Sequence, residues 1–113
     1  MSARLVIVVN DIDEQGAEVP LRYAATGAAL DADVELHCVG ASVAWLRQGA
    51  AGQVLLERLR QAVEAGARIH ACPQALAAHG VPVAELLPEV ADVRGAAALL
   101  AAGLAPGARF MHF

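Results

Sequence analysis

Short apolar runs alternate with helix-patterned segments along the whole of this chain. Arg4 to Val9 is a continuous run, Leu5-Val6-Ile7-Val8-Val9, closed by the polar Asn10-Asp11-Ile12-Asp13-Glu14, the signature of a strand buried on both faces and its loop. From Pro20 to Leu30, Leu21, Ala24, Ala25, Ala28 and Ala29 line one helical face, with Pro20 suited to the opening turn. Val34 to Val39 alternates, with Val34, Leu36 and Cys38 on one side and Glu35 and His37 on the other, and reads as a strand near a sheet edge.

A short helical piece is expected around Ser42 to Arg47, followed by a loop with Gly49 and Gly52. Leu55, Leu59, Ala62 and Val63 then recur at helical spacing between Gln53 and Ala65, and Gly66 stands where a C-terminal cap belongs. Ala67 to Ala71 is a third strand. It leads through Cys72 into a short helix from Pro73 to Ala78, stopped by Gly80. A turn within Val81 to Pro88, a brief strand Val90 to Val93, an alanine-rich helix from Gly95 to Leu104 and a last strand Arg109 to Phe113 complete the chain.

Strands alternating with helices imply right-handed crossovers and a mostly parallel sheet covered on both faces. The expectation is an α/β, three-layer, flavodoxin-like fold of about five strands, and 113 residues suit one domain, 1–113. In open sheets of this kind ligands gather beyond the carboxyl ends of the strands, where Asn10, Asp11, Gly40, Ser42 and Cys72 fall.

Composition narrows the chemistry. All eight basic residues are arginines, so Schiff-base catalysis and a Walker phosphate loop are excluded. A net charge of −4 with no arginine cluster argues against nucleic acid binding. No stretch suits a bilayer span or a signal peptide, so a cytoplasmic protein without membrane contact is expected, its two cysteines, Cys38 and Cys72, free thiols. Hydrophobic residues make up 58% of the chain and charged ones 18%, a surface suited to self-association. The histidines and cysteines lack ligand spacings such as Cys-x-x-Cys, so neither a metal nor a cofactor is expected.

Cys72 carries the chemical lead. It precedes Pro73, so it is expected to cap a helix N-terminus, where unpaired backbone N–H groups and the helix dipole favour a thiolate. His70, two residues earlier on the strand, is expected on the same face as a proton donor or acceptor. Ser42 is explained by helix capping and as a pocket-lining residue, and the Gly40-Ala41-Ser42-Val43-Ala44 segment only faintly resembles a nucleophile elbow.

The order and spacing of Leu5-Val6-Ile7-Val8-Val9-Asn10-Asp11, Cys38-Val39-Gly40-Ala41-Ser42-Val43, Cys72-Pro73-Gln74-Ala75-Leu76-Ala77-Ala78-His79-Gly80-Val81 and Glu85-Leu86-Leu87-Pro88-Glu89-Val90 resemble the DsrE/DsrF/TusD-like family of small sulfur-relay proteins. That resemblance implies a DsrE-like fold, a homotrimer or homohexamer, and a persulfide carried on the cysteine that matches Cys72, exchanged with sulfur-donor and sulfur-acceptor proteins. It makes Cys72 and His70 the catalytic candidates of a sulfurtransferase-like protein, and Asn10, Asp11, Ser42, Pro73, Gln74 and His79 the ligand-binding candidates. Two positions depart from the pattern: Ala75 stands where many members have a second cysteine, and His79 where a more basic residue often precedes the glycine. A non-catalytic oligomeric module that binds a small ligand or partner through the same pocket is the alternative.

Overall fold

A computed structural model describes residues 3–113. Five strands, β1 (Arg4–Asn10), β2 (Asp33–Val39), β3 (Arg68–Ala71), β4 (Val90–Val93) and β5 (Ala108–His112), pair in the order β4-β3-β2-β1-β5, every pair parallel. Four helices connect them: α1 (Glu18–Ala29), α2 (Gln53–Ala65), α3 (Pro73–Ala78) and α4 (Ala96–Leu104). A 3₁₀ helix over Gly40–Leu46 leads from β2 towards α2.

The strand order determines what covers each face. From β1 to β4 the chain steps one way, so right-handed crossovers stack α1, α2 and α3 on one face, where α1 packs on α2. The return from β4 to β5 reverses direction and puts α4 alone on the other face, against β1 and β5. On the α1–α3 face Ile7, Val9, Val34, Leu36, Ile69 and Ala71 are buried with Leu21, Ala24, Leu55 and Leu59 of the helices. Each such leucine contributes about 1.5–3 kcal/mol through apolar burial.

Local chemistry explains most boundaries. Helix α1 begins two residues before Pro20, because a proline at its third position removes an N–H that has no intrahelical partner anyway. Helix α2 ends on Gly66 at φ 115°, with the Gly66 and Ala67 N–H groups donating to Val63 and Ala62. Trp45 is buried in the monomer and donates its indole N–H to the Ile12 carbonyl, whereas Tyr23 is exposed and meets Phe113 edge to face.

Strand β2 departs from the pattern-based expectation. It lies in the middle of the sheet, and its polar side is as buried as its apolar side: Glu35 is 5% exposed and His37 1%. The alternation that suggests an edge strand instead marks a polar cluster enclosed on the α4 face.

Candidate functional site

The carboxyl ends of β1, β2 and β3 are joined by backbone and side-chain ties. Cys72 caps α3 in an extended conformation (φ −75°, ψ 124°), its N–H donating to the Cys38 carbonyl at 3.0 Å, so the cap is fastened to the end of β2. Its thiol is free, partly exposed and makes no capping hydrogen bond. Pro73 supplies the first helical residue, and Gly95, at the start of α4, lies against its ring.

The second thiol is in the opposite situation. Cys38 is 0% exposed in the core, and burial pushes its pKa up to about 12, with the neighbouring Ser42 hydroxyl opposing. It is held protonated at neutral pH.

Gly40 and Ser42 set the shape of the β1 and β2 ends. Gly40 sits at φ 55°, and a Cβ there would overlap Asn10 Oδ1 and lie 2.6 Å from Asp11 Oδ1, so only glycine fits the turn. Asp11, itself at φ 47°, accepts a hydrogen bond from the Ala41 N–H at 2.7 Å. Ser42 is fully buried, its hydroxyl 2.8 Å from the Val9 carbonyl and 2.7 Å from that of Val39, donating to either. It lies inside the 3₁₀ helix rather than at its cap, which is Val39.

On the α4 face a second constellation spans β1 to β4. Register pairs Asp33 with Arg4, Glu35 with Arg68, His37 with His70, and His70 with Asp92. Asp33 accepts from Arg4 at 3.2 Å and from Arg68 at 2.6 Å, and Glu35 Oε1 lies 3.1 Å from His37 Nε2 and 3.7 Å from His70 Nε2. The two rings face each other with centroids 4.8 Å apart. Burial drives both histidine pKa values below 6.5; Glu35 opposes this, and the charges of Arg94 and Arg68 add to it. Both rings are neutral near pH 7.

The DsrE/DsrF-like family model matches residues 3–113. The chain belongs to the DsrE/DsrF-like family. Membership in the DsrE/DsrF-like family points to a sulfur-relay role. Solved structures with the same fold include the ychN protein from E. coli (TM-score 0.83, 18% identity, all of both chains covered) and protein MTH1491 of unknown function from Methanobacterium thermoautotrophicum (TM-score 0.77, 19% identity, 99% of this chain and 100% of that one). Protein BT1422 of unknown function from Bacteroides thetaiotaomicron is similar as well (TM-score 0.75, 18% identity, 98% and 95% covered). No curated protein matches the chain.

Within this DsrE-like fold the residues singled out from sequence fall into three places. Cys72, Pro73, Gln74 and His79 all lie on or beside α3, the last three exposed and His79 at its C-terminal cap. Asn10 and Asp11 are exposed at the end of β1, and Asp11 borders a cleft of about 440 Å³ with Ile12, Asp13, Glu14, Ala41, Ala44, Trp45 and Ala50, which does not include Cys72. Ser42 is sealed beneath them, and His70 is buried against His37 and Glu35, with no hydrogen bond to Cys72 among the described residues. Sequence reasoning missed the cluster because its members come from two strands. The signal was present in the polar side of β2 and in His70 at the same height on the next strand.

Proposed function

We propose that this DsrE-family chain is a sulfur carrier in which Cys72 holds a persulfide and passes its outer sulfur to a partner's thiol. The observation that carries this reading is the contrast between the thiols: Cys72 is partly exposed at a strand end, with a sulfur not engaged in capping, while Cys38 is buried and protonated. In loading, the Cys72 thiolate attacks the outer sulfur of a donor persulfide. A new S–S bond forms on Cys72 as the donor's S–S bond breaks, and the donor leaves as its thiolate. In unloading, an acceptor thiolate attacks the outer sulfur and Cys72 is released as thiolate.

Ala75, one turn along α3, is buried where a resolving cysteine would stand, and Cys38 is locked in the core. Discharge therefore depends on a second protein. We propose further that the carrier works in the cytoplasm as a homotrimer or homohexamer; the exposed Leu100, Leu104 and Phe110 around α4 and β5 support self-association. No described helix is long and apolar enough to cross a membrane.

The test is alkylation of the folded protein at neutral pH, followed by peptide mapping. Cys72 should be labelled and Cys38 spared, and prior treatment with a sulfane donor should shift the label onto a persulfide at Cys72. A Cys72 that resists both reagents favours a non-catalytic binding module.

A further inference from the structure

The constellation on the α4 face has no part in the sulfur chemistry proposed above. We propose that Glu35, His37 and His70 form a binding site for a divalent first-row transition ion, with zinc as the representative.

The three side chains converge on one point. One donor atom from each lies within 4.8 Å of the others, and the Nε2 atoms of His37 and His70 stand 3.1 Å and 3.7 Å from the same carboxylate oxygen, Glu35 Oε1. Zinc bound by imidazole and carboxylate at about 2.0–2.1 Å in tetrahedral geometry needs neighbouring donors about 3.3 Å apart; the two carboxylate–imidazole separations bracket that value, and the two imidazoles, within 4.8 Å of each other, close onto the ion by side-chain adjustment. Two imidazoles and one carboxylate suit zinc, cobalt or ferrous iron, whereas calcium and magnesium prefer oxygen donors alone.

Burial supplies the independent observation. His37 and His70 are 1% and 2% exposed, yet the Nδ1 atoms of both rings and Nε2 of His70 have no hydrogen-bond partner. Buried imidazole nitrogens are normally satisfied, and an ion held by Nε2 of each ring gives His70 Nε2 the partner it lacks, while the two Nδ1 atoms stay unpartnered. The outer shell of the carboxylate is already arranged. Arg68 approaches the other carboxylate oxygen, Glu35 Oε2, at 3.5 Å and is itself fixed by Asp33 at 2.6 Å, which leaves Oε1 to the ion.

The arginines nearby do not oppose a cation as strongly as their number suggests. Arg4 and Arg68 are paired with Asp33, and Arg94 with Asp92 at 3.0 Å. Three protein ligands leave one coordination position open. Of the three ligands only Glu35 borders a cleft, of about 310 Å³, lined by Arg4, Arg68, Arg94 and the α4 alanines Ala98, Ala101 and Ala102.

The experiment uses the full-length chain, stripped with a chelator and titrated with zinc alone by calorimetry, then with cobalt for its visible spectrum. The expected result is one ion per chain and cobalt bands of a four- or five-coordinate site without thiolate-to-metal charge transfer. Glu35→Gln and His70→Gln should each weaken zinc binding by more than about 100-fold, beyond the loss of an outer-shell partner, while Cys72→Ser and replacement of the exposed His79 and His112 leave it unchanged. Absence of binding by the wild-type chain, a cobalt–thiolate band, or undiminished affinity in Glu35→Gln overturns the proposal. The cobalt spectrum of the wild type decides the question even where a buried-histidine variant fails to fold.

Discussion

Replacing Ser42 with alanine separates two roles for a residue whose sequence position suggests a site and whose structural position suggests a strap. The hydroxyl is fully buried and donates to the Val9 or Val39 carbonyl, tying the end of β1 to the 3₁₀ helix that follows β2. Alanine removes the only donor of that side chain and leaves the buried Val9 carbonyl and the part-buried Val39 carbonyl without it, a loss of about 1–3 kcal/mol. For 113 residues the unfolding entropy near the midpoint is about 240 cal/mol/K, so each kcal/mol lowers Tm by about 4 °C. Ser42→Ala should therefore melt about 4–12 °C below the wild type by differential scanning calorimetry. Below its transition it should keep the wild-type rate of Cys72 alkylation. A variant with unchanged Tm and a markedly slower Cys72 reaction would refute this reasoning, because it would place Ser42 in contact with the reacting sulfur rather than in a structural tie.

Further outcomes follow from the same geometry. Gly40→Ala should lower stability by about 1–3 kcal/mol through a left-handed backbone occupied by a Cβ, and a denaturant midpoint equal to the wild type's would contradict the close approach of Asn10 and Asp11. Raised to about 12, the pKa of Cys38 should leave it unlabelled by a thiol reagent at pH 8 until the protein is denatured, whereupon one additional label appears. Because both buried histidines have folded pKa values below their unfolded value of 6.5, the folded metal-free protein binds fewer protons than the unfolded chain as pH falls through that value. Stability is thus full above pH 6.5 and declines towards pH 5. A midpoint flat across that window, measured by urea unfolding, would show that the rings are not held neutral.

The order of elements was legible because each carries a local signal: a continuous apolar run for β1, a 3.6-residue pattern and Gly66 for α2, Cys72-Pro73 and Gly80 around α3. What was not legible depended on strand order. Glu35 and His37 on one strand and His70 on another carry no common spacing, and only the pairing of His37 with His70 brings them together. The same lateral information decides that β2 is central and that its polar side is enclosed on the α4 face. Ser42 shows a further limit: its hydroxyl suits a cap or a pocket equally well in sequence, and the choice is made by carbonyls at Val9 and Val39, one of them 33 residues away.

Accessibility distinguishes the two thiols structurally, and sulfur loading tests that distinction chemically. The most direct measurement is the intact mass of the native chain after incubation with a sulfane donor, for the wild type, Cys72→Ser and Cys38→Ser. One added sulfur atom, removable by a reducing thiol, is expected on the wild type and on Cys38→Ser and absent from Cys72→Ser. A wild-type chain that gains no sulfur, or an adduct that survives in Cys72→Ser, would contradict the assignment of Cys72 as the carrier.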